Sequence, residues 1–155
     1  PAWKNKQPGF GPRTLGEFGC LRTCYTMMLT GYGENLTPAT LNDRVLQLPQ
    51  GQGFSGSDVF FATPRFAFPH VAFQGNFMPQ ANTGATFASV DHNLLGRIDQ
   101  TLAQGQAVIM QVDLDPADPY HFGTEQHWVL ALARQGNDYL VVAPSDGQTV
   151  SLNTR

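Results

Sequence analysis

The sequence is short of charge, has few basic residues and lacks any long apolar run. Charged residues make up 14% of the 155, and 9 Lys and Arg against 12 Asp and Glu give a formal net charge of −3. A chain this poor in basic residues lacks the positive surface that nucleic-acid binding needs, so we expect no nucleic-acid partner. No apolar run approaches the roughly 20 residues of a membrane-spanning helix. We therefore expect no membrane insertion, and no signal peptide is recognisable.

Length and composition predict a single soluble globular domain over residues 1–155. A chain of 155 residues with 41% hydrophobic residues is large enough to bury a substantial core. Because the chain opens on Pro1 rather than methionine, we expect a domain that belongs to a longer parent protein. The lack of a signal peptide then leaves the compartment undetermined.

Cysteine is also scarce, and the position of the two cysteines is informative. Cys20 and Cys24 lie four residues apart, too few for a disulfide framework and too constrained on one helix for a bridge. The stretch from Gly19 to Gly33 has apolar residues at helical spacing and ends on a glycine, which predicts a helix with Arg22 and Thr23 facing outward. Its apolar stripe consists of Leu21, Cys24, Tyr25, Met28 and Leu29.

The predicted helix places Cys20 in its first turn. Backbone N–H groups there have no partner inside the helix, and the positive end of the helix dipole favours a thiolate. A thiolate is the form of cysteine that attacks carbonyl carbons. A small buried hydrophobe is the alternative role for Cys20, and it is the role that we assign to Cys24.

Helical patterns come first in the chain and strand patterns last, which predicts the α+β class. Residues 1–18 predict an ordered loop held by Trp3 and Phe10, and Thr37-Pro38 predicts the start of a second helix that ends near Pro49. Ser57-Asp58 predicts a cap on a short helical turn through Phe61. A later helix is predicted from its cap Asp91 to Ala103, before Gly105, followed by strands over 107–113, 127–133, 139–142 and 149–152.

The segment from Thr63 to Ser89 shows the least regular pattern. Its prolines allow one short strand, around Val71 to Phe73. Phenylalanines in this segment suit either of two roles: they anchor the segment to the core, or they line a substrate groove. These residues are Phe66, Phe68, Phe73 and Phe77.

The order of these motifs resembles the papain-like cysteine peptidases, in the branch related to the bacteriocin (double-glycine) leader peptidases. The resemblance rests on Gly19-Cys20 opening a helix that ends in Tyr32-Gly33, the Thr-Pro helix, and His127-Trp-Val at a strand start. Tyr139-Leu-Val-Val followed by Ala-Pro-Ser-Asp-Gly completes it. It implies a papain-like domain of bacterial or phage origin, with N-terminal helices packed on a C-terminal antiparallel sheet.

The resemblance also implies catalytic roles and a reaction. Cys20 falls on the nucleophile position and His127 on the general base and acid. The implied activity is hydrolysis of a peptide or amide bond through a thioester, with a peptide or peptide crosslink as substrate. The Cys20 N–H is expected to help hold the oxyanion.

Two positions depart from the family pattern. The family has Asp or Asn before the proline that follows the strand, to orient the histidine, and this chain has Ala143. Asp146, three residues later, is the substitute candidate for this catalytic role. The family also carries a glutamine shortly before the nucleophile, and here the nearest is Gln7; Thr14 and Glu17 are poorer oxyanion partners.

We expect no metal and no cofactor. Acidic residues and histidines gather between 113 and 127, but their spacing matches neither a His-Glu-x-x-His helix nor a calcium-binding loop. These residues are Asp113, Asp115, Asp118, His121 and His127.

Two functional hypotheses remain open at this stage. The Cys20–His127 pair favours a thiol peptidase or amidase. Ala143 and the missing upstream glutamine favour a catalytically silent relative that binds a peptide or protein partner.

Overall fold

The computed structural model describes residues 2–76, 92–113 and 126–152, which combine helices with antiparallel sheets. This confirms the predicted α+β class. Contacts divide the chain into two compact units, Pro1–Asn76 and Phe77–Arg155. Each unit is described by itself below, and the single domain over 1–155 stays a prediction.

Helix α2 of the first unit ends just before a glycine, Gly33, as the sequence predicted. Gly33 adopts a φ of +98°, which a side-chain-bearing residue avoids. The Gly33 and Glu34 N–H groups donate to the carbonyls of Thr30 and Leu29, each at 3.0 Å, and so satisfy the carbonyls at the helix end. The elements of this unit are a 3₁₀ turn (Ala2–Asn5), α1 (Leu15–Phe18), α2 (Cys20–Gly31), α3 (Pro38–Leu46), β1 (Phe54–Ser55), β2 (Asp58–Val59) and α4 (Thr63–Ala67).

Helix α3 begins where Thr37-Pro38 predicted it. Thr37 and Thr40 form a reciprocal capping box, in which each side chain accepts from the backbone N–H of the other. Pro38 occupies the first helical position, where no N–H is needed. Leu41 and Val45 then turn into the core, at 1% and 2% exposure.

Of the two residues predicted to hold the N-terminal loop, Trp3 is half-buried and Phe10 is exposed. Phe10 is 79% exposed, so the expectation that it anchors the loop is wrong. The loop is fixed instead by polar contacts: Gly9 N–H donates to Asn42 Oδ1 at 3.2 Å, and Phe10 N–H donates to the Gly56 carbonyl at 3.1 Å. Pro8, beside them, is the buried apolar residue of the loop.

Two local predictions in the first unit are corrected. Ser57-Asp58 does not cap a helical turn, because Gly56 and Ser57 form the two-residue loop of the β1–β2 hairpin, with Gly56 at a φ of +63°. The residues from Val71 to Phe73 form no strand. Within residues 63–76, the regular structure is α4 (Thr63–Ala67), with Pro64 in its first turn.

The second unit is a four-stranded antiparallel meander with helix α5 against one face. The strand order is β3-β4-β5-β6, so each strand pairs with its neighbour in sequence. Gly105, at a φ of +71°, ends α5 as predicted, whereas the predicted cap Asp91 lies outside the described residues. Its elements are α5 (His92–Ala103), β3 (Val108–Asp113), β4 (Gln126–Gln135), β5 (Asp138–Val142) and β6 (Thr149–Ser151).

One apolar cluster joins α5 to the sheet. Its centre consists of buried strand residues, and helix residues at i, i+3 and i+7 spacing pack on it. A pairing register links all four strands, with one shift between Ala131 and Ala133 in the β4–β5 pair. The centre is Val129, Ala131, Tyr139 and Val141, and the helix contributes Leu95, Ile98 and Leu102.

Across the ranges 2–76, 92–113 and 126–152, every helix is too short, or too polar, to cross a bilayer.

Candidate active site

The cysteine proposed as nucleophile is the first residue of α2. Cys20 is half-buried, and Gly19 before it is the N-cap residue without a side chain to cap the helix. A Cβ at Gly19 would lie 2.0 Å from the Leu15 carbonyl oxygen, so only glycine fits this junction between α1 and α2. No N-cap side chain therefore accepts hydrogen bonds from the backbone N–H groups in the first turn of α2.

Cys24 differs from Cys20 in exposure and in chemistry. Its side chain is 0% exposed, which confirms the prediction that it belongs to the core. Burial raises the pKa of the Cys24 thiol, and the charge of Cys20 raises it further. Cys24 therefore stays protonated at neutral pH and is a poor nucleophile, and both cysteines are free thiols.

Arg22, two residues after Cys20, and Thr23 are buried rather than outward-facing as predicted. Arg22 is 2% exposed, and its Nη1 donates to the Ser57 carbonyl at 2.7 Å. Burial lowers the pKa of Arg22 to about 10, against the opposing effects of Asp58 and Cys20. The sequence offered no signal of this, because the partner is a backbone carbonyl 35 residues away.

His127 is the second residue of β4, in the second unit. It is paired in register with Val112, and Val129 and Ala131 follow it at alternating positions. Because successive side chains alternate between the faces of a sheet, His127 shares the face on which Val129 and Ala131 pack with α5. The imidazole is half-buried at the end of that face.

Ala143 and Asp146 follow β5 at the same end of the sheet as His127, because β5 ends where the antiparallel β4 begins. Ala143 is 0% exposed and continues the alternation of Tyr139 and Val141, so it shares the face of His127. Leu130↔Val142 is the last pair in the register of β4 and β5, and Ala143 follows it directly. Ala143 and His127 therefore lie on one face, toward the same end of the sheet.

Asp146 lies in the turn that follows. Its Oδ1 accepts from the Gln148 N–H at 2.9 Å, and the Gly147 N–H donates to the Ala143 carbonyl at 2.9 Å. The side chain is exposed and helps to shape this turn. Its predicted role as orienting carboxylate stays a prediction.

The candidates for a further oxyanion donor are placed as follows. Gln7 is exposed and Thr14 is half-buried, both ahead of α1. The side chain of Glu17 lies outside the described residues.

The phenylalanines of the segment after Thr63 separate into two groups. Phe68 is 0% exposed with the Arg44 guanidinium 4.0 Å from its ring centroid, so it anchors the segment to α3. Phe66 is half-buried under Arg65, whereas Phe73 is 37% exposed. Phe77 lies outside the described residues.

Asp115, Asp118 and His121 of the acidic segment lie outside the described residues. Within the described parts of the chain, no three His, Cys, Asp or Glu side chains gather closely enough to hold a metal ion.

The predicted site residues therefore divide between the units. Cys20 lies in the first unit, whereas His127 and Asp146 lie in the second, at one end of its sheet. Comparisons with protein-family models, curated proteins and solved structures find no match to this chain.

Proposed function

We propose that this protein is a cysteine peptidase or amidase of papain-like fold, in which Cys20 and His127 hydrolyse a peptide or amide bond. The observation that carries the proposal is the placement of Cys20 as the first residue of a 12-residue helix whose N-cap side chain is absent. A half-buried thiol at that position meets backbone N–H groups and the positive end of the helix dipole, both of which favour the thiolate.

The chemistry follows from the two side chains. The His127 imidazole takes the proton from the Cys20 thiol, and the thiolate attacks the substrate carbonyl carbon. The developing oxyanion accepts hydrogen bonds from N–H groups at the start of α2, including that of Cys20. The imidazolium then donates its proton to the leaving amine, and a thioester remains on Cys20. Water, deprotonated by His127, attacks the thioester and releases the acid.

Three features support this assignment over a purely structural role for the pair. Cys20 is half-buried whereas Cys24 is fully buried, so the chain keeps one of its thiols accessible. His127 lies at the end of a register-fixed strand. In the papain-like peptidases, helices that carry the nucleophile come before a sheet that carries the histidine. The elements of this chain follow the same order.

Ala143 favours the second candidate, a silent domain of this fold that binds a peptide. The buried methyl group of Ala143 cannot accept a ring N–H, so position 143 cannot orient His127 as the Asp or Asn of the papain-like peptidases does.

The test is hydrolysis of a mixed peptide library, read by mass spectrometry as new peptide termini. We expect cleavage by the wild type and its loss in Cys20→Ser and in His127→Ala. Cys24→Ala is the matched control, since it removes the buried thiol and should retain activity. Cleavage that survives Cys20→Ser would refute the mechanism, and binding of peptides without cleavage would support the silent domain.

Ala143→Asp tests whether the missing carboxylate at position 143 limits the activity. If His127 acts as base, an aspartate on the same sheet face should raise the cleavage rate by roughly 10-fold or more, the scale of an outer partner that orients a histidine. Asp146→Ala is the companion variant: a loss of rate would assign the orienting role to Asp146, and an unchanged rate would remove it from the site.

A further inference from the structure

Phe10 is the most exposed large apolar side chain among the described residues, at 79%. A single exposed phenylalanine is common on protein surfaces and by itself indicates nothing. What distinguishes Phe10 is that contacts on both sides hold its backbone while its ring stays in solvent. Such a ring is suited to binding, because a side chain on an ordered backbone loses little conformational entropy when a ligand covers it.

Hydrogen bonds fix the backbone around Phe10 to two other elements. The Phe10 N–H donates to the Gly56 carbonyl in the β1–β2 hairpin at 3.1 Å. The Gly9 N–H donates to Oδ1 of Asn42, a fully buried residue of α3, at 3.2 Å. The turn that carries Phe10 is therefore attached to both the hairpin and a core helix.

The residues on either side of Phe10 are glycines that lie directly against the hairpin. A Cβ at Gly9 would lie 2.6 Å from the Gly56 carbonyl oxygen, and Gly9 has a φ of +53°. A Cβ at Gly11 would overlap Oγ of Ser57. The close approach leaves no room for a side chain at either glycine, so Phe10 is the residue of this turn that projects a ring into solvent.

A second ring extends this apolar surface. The Phe10 ring meets the half-buried ring of Phe54 in β1 edge to face, with centroids 6.4 Å apart and planes at 79°. Two rings at nearly a right angle can contact one apolar side chain on two sides. We call the rings of Phe10 and Phe54 the aromatic corner.

The hairpin connects the aromatic corner to the helix of the proposed nucleophile. Nη1 of Arg22, the third residue of α2, donates to the Ser57 carbonyl at 2.7 Å, and its Cζ lies 5.5 Å from the Phe54 ring centroid. One arginine side chain therefore spans from the Phe54 ring to the turn that begins with Cys20. A peptide that reacts at Cys20 is long enough to reach the corner within roughly six residues, since an extended chain spans about 3.3 Å per residue.

We propose that Phe10 is a specificity-determining residue: the aromatic corner binds a large apolar side chain of the substrate peptide, within about six residues of the bond that Cys20 attacks. The inference rests on the proposed function, because it takes a peptide as the substrate. An apolar side chain suits the corner because both rings gain by removing apolar surface from water. A cationic side chain is disfavoured, because the guanidinium of Arg22 already lies over the Phe54 ring.

The test is cleavage of the mixed peptide library by wild type, Phe10→Ala and Phe10→Leu. We expect the wild type to favour large apolar residues at one position near the cleaved bond, Phe10→Ala to lose this preference and Phe10→Leu to keep part of it. For one favoured peptide, Phe10→Ala should raise KM roughly 5- to 30-fold and leave kcat unchanged. Tyr32→Ala is the control, since it removes a ring with 46% exposure at the other end of α2 and should change neither constant.

Binding of the same library decides the inference without cleavage. Peptides retained by Cys20→Ser are sequenced and compared with those retained by Cys20→Ser combined with Phe10→Ala. An apolar preference that disappears with Phe10→Ala supports the inference, and such a result without any cleavage by the wild type would refute the peptidase alone. Three results overturn the inference: a preference that Phe10→Ala leaves unchanged, a preference for Arg or Lys, or a fall in kcat at constant KM.

Discussion

Residues 1–76 and residues 77–155 use different contacts to fix their loops and carry opposite net charges. In the first unit, side chains and glycines attach turns to helices, as Arg22 does at Ser57 and Gly9 does at Asn42. In the second unit, backbone hydrogen bonds between neighbouring strands and one apolar cluster hold the elements together. Six basic and four acidic residues give the first unit a net charge of +2, and three basic and eight acidic residues give the second −5.

The comparison teaches where each half of the proposed site is vulnerable. The position of Cys20 depends on the glycine junction that directly precedes it, so a single substitution at Gly19 should affect it. His127 depends on a strand register that many residues share, so single surface substitutions should leave it in place. The overall charge of −3 thus combines two units of opposite charge.

The largest expected effect is the loss of a core side chain from the first unit. Leu29→Ala, at a residue with 0% exposure, should lower the free energy of unfolding by about 2–5 kcal/mol. Leu132→Ala in the second unit is the control, because Leu132 is 45% exposed. Denaturant unfolding measures both, and hydrogen exchange shows which unit loses protection. Equal losses of protection in both units would indicate that they unfold together and would weaken the comparison.

The glycine junction before the nucleophile gives the next effect. Gly19→Ala should destabilise by about 1–3 kcal/mol or more, because its Cβ would meet a backbone oxygen that cannot move alone. Gly31→Ala, in the same helix with open space around it, should instead stabilise by about 0.5–1 kcal/mol. Thermal unfolding of the two variants checks this. The same sign for both would contradict the account of the junction.

A hydrogen-bonded cluster on the second unit should give a similar but pH-dependent effect. The Tyr139 hydroxyl donates to Asp99 Oδ1 at 2.7 Å, and Arg134 bonds the other carboxylate oxygen. Tyr139→Phe should lower the free energy of unfolding by about 1–3 kcal/mol at pH 7, as for a bond to a charged group. Denaturant titration is the measurement.

The pH dependence of that cluster has a defined sign. Burial, with the bond to Asp99, raises the pKa of Tyr139 to about 12 from 10. The stabilisation is therefore complete below pH 10 and is lost as the pH rises from 10 to 12. Tyr139→Phe should remove that alkaline loss. An identical alkaline profile in the variant would mean that another group is responsible.

The smallest effect belongs to the cap of α3. Thr37→Ala removes the reciprocal capping box and should cost about 0.5–2 kcal/mol. Thr30→Ala, at an exposed position of α2, is the matched control and should change stability by less than about 0.5 kcal/mol. Thermal unfolding compares them. A larger loss in the control would show that the cap contributes little.

Sequence patterns predicted the regular elements because their signals are local. Thr37-Pro38 and the glycines at 33 and 105 mark helix ends through backbone geometry that neighbouring residues determine. The strands were predictable from alternation and from the turn at Gly136.

The predictions that were wrong concern contacts between residues far apart in sequence. Arg22 was predicted to be exposed because its acceptor lies in a hairpin 35 residues later. The hairpin itself was read as a helical cap, because Ser-Asp suits both and only the φ of Gly56 decides. Phe10 was predicted to be an anchor from its apolar character, yet the loop is held by its backbone. The catalytic assignment of Cys20, His127 and Asp146 rests on the resemblance and stays a prediction.

The most direct test of the account is the pH dependence of iodoacetamide labelling at Cys20 in wild type and His127→Ala. We predict rapid labelling that persists well below the ordinary thiol pKa of about 8.5 and is lost in His127→Ala. Cys24, fully buried, should label slowly in both proteins. Slow labelling of Cys20 that rises only near pH 8.5, unchanged by the substitution, would contradict the proposed nucleophile and base.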